Sequence, residues 1–223
     1  MSNESPVLAF LNKMADILIL NLLFLVCSLP IITIGPALSA MYAVCLRSIR
    51  YGDGYVVRGF FKSFAQNFKQ SFAAWILTLL IGLLLVVDIA FWTKIDMGMM
   101  SNVMLGVSLL IALFVFMIVL WLFPVIAKIE NKLFVNIKNA AAMAVGHFFP
   151  YTFICLAITL IVGYLAYTSL VVDIIMLLLG FALLAYILSF FFYKVFAKYM
   201  KEAPVGDNDL LYGTQTAGKD EIH

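Results

Sequence analysis

Four polar residues lie in or beside an apolar stretch that two prolines and a glycine interrupt. Asn21 sits in the run LILNLLFL, and Thr33, Ser39 and Tyr42 lie within LPIITIGPALSAMY. A broken membrane helix leaves backbone N–H and C=O groups free, and transporters use such groups to hold ligands. These four residues are therefore a candidate ligand or partner contact site. The structural alternative is that Asn21 hydrogen-bonds across the bundle, to Ser39, Tyr42 or the broken backbone.

The common enzymatic motifs are absent from the sequence. It contains no GxxxxGK[ST] phosphate loop, no HExxH metal motif and no GxSxG nucleophile elbow. Its two histidines, His147 and His223, are far apart, and its three cysteines lack paired spacing. Asp16, Asp88 and Asp173 adjoin apolar segments, where a carboxyl group must be hydrated or paired. We therefore expect no enzymatic activity, no cofactor and no metal site.

The composition places the chain in a lipid bilayer. Of its 223 residues, 65% are hydrophobic and 12% are charged, against roughly 45–50% apolar and 25% charged in soluble domains. Four segments have the length and low charge of membrane spans, namely 72–87, 103–127, 151–170 and 174–193. The predicted fold class is all-α, a polytopic membrane bundle of about six membrane helices with basic amphipathic interfacial helices, and five spans are the alternative.

The distribution of basic residues predicts the orientation. Lysine and arginine collect in the stretches 47–69, 128–138 and 194–201, whereas the turns 92–102 and 168–173 contain one lysine, Lys94. By the positive-inside rule, the three basic stretches face the cytoplasm. Both termini are then cytoplasmic when the helices number six.

The apolar residues 14–50 are predicted to form a helical hairpin. Pro30 disfavours helix at the residue before it and cannot donate a backbone hydrogen bond, so the first helix should end there. Gly35 permits a sharp turn, and Pro36 suits the first turn of a second helix. Pro30, Gly35 and Pro36 are thus the predicted structural hinge.

The second arm of this hairpin carries small residues on one face. Gly35, Ser39 and Ala43 recur at i+4 and let a neighbouring helix approach closely. Irregular backbone is not tolerated against lipid, so the turn must reach the outer interface or be packed inside protein. Residues 36–50 are either a short span or a re-entrant segment.

A basic and aromatic helix should follow the hairpin. One face carries Phe61, Phe64, Phe68 and Phe72, and the other carries Arg58, Lys62, Gln66 and Lys69. Such a helix is expected to lie in the membrane interface. It either docks anionic lipid or a partner protein, or serves only as a topogenic connector. Nucleic-acid binding is not expected, because the aromatic face is needed for lipid or protein.

The chain reads as one helical membrane domain, residues 1–203, with a polar cytoplasmic tail at 204–223 that is predicted to be disordered. Within the domain, residues 55–127 and 128–199 repeat one order: basic helix, outward span, short turn and inward span. Their ends, FPVIAKIENK and FYKVFAKYMKE, share a VxAK core. The two units are either a parallel internal repeat or a similarity of composition alone.

The segment LNLLFLVCSLPIITIGPALSAMYAVCLRSIR, followed by GFFKSFAQNFKQSF, resembles the YesL-like family of bacterial membrane proteins of unknown function. The most specific piece is PxxTxGPA, here Pro30, Thr33, Gly35, Pro36 and Ala37. Genes of that family often lie near carbohydrate ABC importers, which implies an accessory role in sugar uptake or its control.

Three functions follow from these observations. The first is a non-enzymatic, multi-pass accessory protein of the bacterial cell membrane, bound to a partner such as ABC importer subunits through its helices and its basic cytoplasmic face. The second is a small transporter or channel with its site at residues 30–42. The third, a lipid-modifying enzyme, requires carboxylates or histidines that converge only in the folded chain.

Overall fold

The chain folds into α-helices joined by short turns. The computed structural model describes residues 6–52, 55–95 and 98–199. Its α-helices are α1 (Pro6–Ser28), α2 (Ile34–Tyr51), α3 (Val56–Lys94), α4 (Met99–Lys128), α5 (Leu133–Gly146), α6 (Phe153–Thr168), α7 (Leu170–Ile175) and α8 (Phe181–Tyr199). A 3₁₀ turn at Ile31–Thr33 precedes α2, and π-helical turns at Phe148–Thr152 and Met176–Gly180 precede α6 and α8. The predicted disordered tail, 204–223, lies outside the described residues.

Six helical stretches are long and apolar enough to cross a membrane. Four correspond to the predicted spans, although the predicted span 151–170 ends earlier, at Thr168, and the other two are the arms of the predicted hairpin, Phe10–Ser28 and Ile31–Tyr51. The described ranges contain no β-strand. The prediction of an all-α, multi-pass membrane bundle is therefore confirmed.

The hairpin breaks where Pro30 predicts it. α1 ends at Ser28, and Pro30 adopts an extended conformation with φ −75° and ψ 116°. α2 begins at Ile34, so Pro36 lies in its first turn. Backbone N–H groups in the first turn of a helix have no intrahelical partner, so the N–H that proline lacks costs no hydrogen bond there. One detail of the prediction was wrong: Gly35 is helical and lies inside α2 rather than in the turn.

The basic segment after the hairpin is not a separate interfacial helix. α3 runs without interruption for 39 residues, or about 58 Å at 1.5 Å per residue. The predicted helix at 58–70 and the predicted span at 72–87 are parts of this one helix. The separate helix was a wrong prediction because the sequence between the two parts contains no proline or glycine to end or kink the helix.

The core lies where α2, α4 and α8 meet. Trp121 of α4 is fully buried, with its ring 4.7 Å from Phe192 and 6.3 Å from Phe196. Tyr42 of α2 meets the same Phe192 ring edge-on at 5.9 Å. Because Trp121 is near the end of α4 and Phe192 near the end of α8, the C-terminal ends of these helices lie on the same side of the bundle.

α5 bridges those two ends. The Asn136 side-chain amide donates a 3.2 Å hydrogen bond to the Ile129 carbonyl, directly after α4. At the other end, His147 lies with its Nε2 atom 3.3 Å from the hydroxyl of Tyr199, the last residue of α8. α5 therefore crosses from the end of α4 to the end of α8.

The two predicted repeat units share further features. Met99–Lys128 and Leu170–Tyr199 each cover 30 residues. The VxAK cores fall at their ends, and Val125 and Val195 are buried equally in them. The first halves of the two units differ, because α3 is one continuous helix whereas a π-helical turn separates α5 from α6. Duplication of the units 55–127 and 128–199 stays a prediction.

Candidate functional sites: the helix break and the basic projection

Three backbone carbonyls at the α1–α2 break accept hydrogen bonds from side chains of the chain itself. The Thr33 hydroxyl lies 2.6 Å from the Cys27 carbonyl and 2.7 Å from the Pro30 carbonyl, and it can donate to either. The indole N–H of Trp75, on α3, donates to the Ile31 carbonyl at 2.8 Å. The Pro30 and Ile31 carbonyls also accept from the backbone N–H groups of Thr33 and Ile34, so the side-chain bonds supplement the pairing within the turn, and Trp75 ties the turn to α3.

Gly35 is required by the close approach of α2 and α3. A Cβ atom at this position would lie 2.5 Å from the Cβ of Trp75 and 2.6 Å from the Ser71 carbonyl oxygen. Neither atom can move away by a change of rotamer, so a larger residue would force the helices apart. The small-residue stripe predicted for α2 is thus confirmed at Gly35 and at the buried Ser39, whereas Ala43 is only partly buried.

Asn21 binds the backbone of the last membrane stretch, across the bundle. The side chain is fully buried. Its amide donates to the Leu177 carbonyl at 2.9 Å, and its oxygen accepts from the Ala182 N–H at 3.0 Å. The Leu177 carbonyl lies within the π-helical turn Met176–Gly180 and the Ala182 N–H just after it, where the regular α-helical pairing is interrupted. The predicted role in cross-bundle bonding is confirmed, but the predicted partners Ser39, Tyr42 and the break were wrong.

The four candidate contact residues do not form one site. Asn21 is bonded to α8 and Thr33 to the end of α1, as described above. Tyr42 packs against Phe192, and the buried Ser39 hydroxyl has no hydrogen-bond partner in the described ranges. These residues lie near one break in the sequence. In the folded chain, each of them lies in a different contact between helices.

The acidic residues Asp88 and Asp173 lie in different surroundings. Asp88 accepts hydrogen bonds from the Trp92 indole at 3.1 Å and from the Ser108 hydroxyl of α4, so its carboxylate joins two helices. Asp173 is exposed in the first turn of α7. No cluster of three or more metal-ligating side chains occurs among the described residues.

Two tryptophans were overlooked in the sequence. Trp75 holds the break, and Trp121 donates a buried 3.0 Å hydrogen bond to the Thr152 hydroxyl. The available signal was general: an indole N–H inside an apolar segment needs an acceptor, because an unpaired donor is costly there. The sequence does not reveal which acceptor lies within reach.

The predicted interfacial basic residues lie on a projecting end of α3. The Gln70 amide donates to the Asn131 carbonyl at 2.7 Å, in the turn directly after α4. The preceding segment Val56–Lys69, about 20 Å long at 1.5 Å per residue, continues α3 past this contact with the turn after α4. We call Val56–Lys69 and the adjoining end of α2 the basic projection. Its exposed stripe consists of Arg58, Lys62, Gln66 and Lys69.

The aromatic face of the basic projection is turned toward α2. Successive rings stack along α3 at 5.5–6.1 Å, in the series Phe60, Phe64, Phe68 and Phe72. Phe60 is fully buried, whereas Phe61, which the sequence assigned to this face, is 49% exposed. The correction amounts to one residue position: a helix repeats every 3.6 residues, so both phenylalanines are compatible with the pattern and packing selects one.

Comparison with protein families gives one match. A family model described as "Protein of unknown function, DUF624" matches residues 17–89, which include most of α1, all of α2 and most of α3. Searches of curated proteins and of solved structures gave no match. The matched region contains both the helix break and the basic projection, and it overlaps the stretch that resembles the YesL-like family. The chain is thus a multi-pass membrane-helical protein with similarity to a family of unknown function.

Proposed function

We propose that this protein is a non-enzymatic accessory protein of the bacterial cell membrane that binds a cytoplasmic-side partner through the basic projection. The partner class we propose is a subunit of a carbohydrate ABC importer. The choice of an importer as partner rests on the resemblance to the YesL-like family, and the choice of binding surface is supported by the fold.

The basic projection is the observation that carries this proposal. Arg58, Lys62 and Lys69 are exposed on one stripe of a helix that continues beyond the end of α4. The segment 55–71 contains no acidic residue that could neutralise them. A rigid, positively charged surface of this kind complements an acidic surface on a partner.

The alternative, a small transporter or channel with a site at residues 30–42, has less support. Such a site needs backbone and side-chain groups that are free to bind a ligand. Thr33 and Trp75 occupy the carbonyls of the break, and Asn21 is bonded to α8. A ligand would have to displace these bonds.

The orientation in this proposal follows the positive-inside rule. The basic projection and the turn at Asn131 lie on one side of the bundle, because Gln70 joins them. With the basic stretches in the cytoplasm, both termini are cytoplasmic as well.

Affinity purification from native membranes, followed by quantitative mass spectrometry, tests the proposal. Importer subunits should be recovered in stoichiometric amounts with the native protein. The triple variant Arg58→Glu, Lys62→Glu and Lys69→Glu should recover less by a factor of at least about ten, because like charges facing each other across an interface cost several kcal/mol and about 1.4 kcal/mol is tenfold in affinity. The matched control is Lys94→Glu, which reverses an exposed charge at the opposite end of the same helix.

Two results would contradict the proposal. Equal recovery with the triple variant would exclude the basic projection as the docking surface. A native sample without importer subunits would exclude the proposed partner class.

A further inference from the structure

α5 exposes an apolar face rather than a polar one. Its buried side carries Asn136, Ala140 and Ala144, which pack against the bundle. The opposite side exposes large apolar residues: Phe134 is 81% exposed, Val145 56% and Val135 42%. Small residues face the protein here and large apolar ones face outward, which is the reverse of a helix that lies in water.

The position of α5 explains this reversal. Because α5 crosses from the end of α4 to the end of α8, it lies at the level where both long apolar stretches end. Two exposed lysines accompany its apolar face, Lys132 directly before the helix and Lys138 within it. The sequence from Lys132 to His147 contains no acidic residue. Helices with these features lie in the headgroup region of a membrane, with apolar side chains among the acyl chains.

We propose that the outer face of α5 is a binding site for anionic phospholipids of the cytoplasmic leaflet. The ammonium groups of Lys132 and Lys138 pair with headgroup phosphates, and Phe134 and Val145 enter the acyl region. The two lysine charges complement an anionic headgroup, and the lysine stems can reach the phosphates while their CH₂ groups stay among apolar atoms. This site is separate from the basic projection, because it lies on α5 and the basic projection is formed by the beginning of α3 and the end of α2.

A pair of alanines provides the first test. Ala142, on the outer face of α5, and Ala65, on the basic projection, are both exposed. Each is changed to cysteine in a Cys27→Ser background, because Cys27 is half-buried whereas Cys45 and Cys155 are buried. The protein is labelled with bimane and reconstituted into vesicles of equimolar phosphatidylglycerol and phosphatidylcholine. Brominated acyl chains should quench the label at 142, and aqueous iodide should quench the label at 65. Iodide quenching at 142 as strong as at 65 would place α5 in water and overturn the proposal.

Selectivity for lipid charge is the second test. The association of spin-labelled phosphatidylglycerol relative to spin-labelled phosphatidylcholine is measured for the full chain in phosphatidylcholine vesicles. Lys132→Gln with Lys138→Gln should lower this selectivity by roughly 5- to 25-fold, about fivefold for each basic residue near the membrane surface. Lys94→Gln is the matched control and should leave the selectivity unchanged, as should the charge-conserving change Lys138→Arg.

The outcomes separate the lipid site from other roles. A double glutamine variant that keeps native selectivity overturns the proposal, as does an equal loss in Lys94→Gln. If the double variant unfolds, the lipid selectivity of the single variant Lys138→Gln is compared with that of Lys138→Arg. Equal selectivity of these two variants overturns the proposal. If α5 binds a protein instead, the label at Ala142→Cys in the reconstituted chain is not quenched by brominated lipid.

Discussion

Substitution of Gly35 by alanine tests the close contact between α2 and α3. The added Cβ would lie 2.5 Å from the Cβ of Trp75 and 2.6 Å from the carbonyl oxygen of Ser71. Both are far inside the normal contact distance for carbon, and both belong to rigid parts of α3. The two helices must therefore separate, and Trp75 must then weaken its bond to the Ile31 carbonyl.

Gly82 provides a matched control for this substitution. It lies within α3, and a Cβ atom there meets no other atom within 4 Å. Replacing a helical glycine by alanine stabilises the helix by up to about 1 kcal/mol, and this gain is common to both positions. Overpacking costs about 1–3 kcal/mol and applies to position 35 alone. The free energies of unfolding of Gly35→Ala and Gly82→Ala should therefore differ by about 1–3 kcal/mol, with Gly35→Ala the less stable.

Unfolding by sodium dodecyl sulfate in mixed micelles, followed by tryptophan fluorescence and circular dichroism, measures this difference. Trp75 lies at the contact, so its fluorescence reports the local change as well. Equal stabilisation by the two alanines would refute the reasoning, because it would mean that α2 and α3 are not in contact at Gly35.

Two further predictions concern the bundle and its orientation. Asn21→Leu should lower the free energy of unfolding by about 1–3 kcal/mol, since it removes two cross-helix hydrogen bonds. The control Leu22→Ala, at a neighbour that is 63% exposed, should change the free energy of unfolding by less than about 0.5 kcal/mol. Unfolding in mixed micelles measures both variants, and native stability of Asn21→Leu would contradict the assigned bonds. In intact cells, an impermeant maleimide should label Ser169→Cys but not Asn131→Cys until the membrane is permeabilised, and the reverse pattern would overturn the orientation.

The sequence was sufficient to predict the membrane class and the location of the main break. Long uncharged segments must be helical in hydrocarbon, because every backbone group there needs a partner within its own segment. Pro30 removes a donor and restricts the residue before it, so the end of α1 follows from local covalent geometry. These features depend on composition and on neighbouring residues, which is why a single sequence reveals them.

The contacts of the candidate site were decided by the tertiary structure alone. Asn21 needed a partner, but Leu177 and Ala182 are more than 150 residues away in the chain. The sequence assigned Gly35 both to a turn and to a small-residue stripe; the structure confirms only the stripe, and it alone identifies Trp75 of α3 as the neighbour. Periodicity identifies a polar or small side chain that must face protein, but it carries no information about which helix it faces.

The placement of the two basic helices also needed the folded chain. Both carry lysines and apolar residues, and the sequence assigned an interfacial position to the first. In the structure, α3 continues through its span and projects beyond α4, while α5 lies across the ends of α4 and α8. Composition sets the affinity of a helix for an interface. The direction of its axis depends on the neighbours that hold its two ends, and only the tertiary structure supplies them.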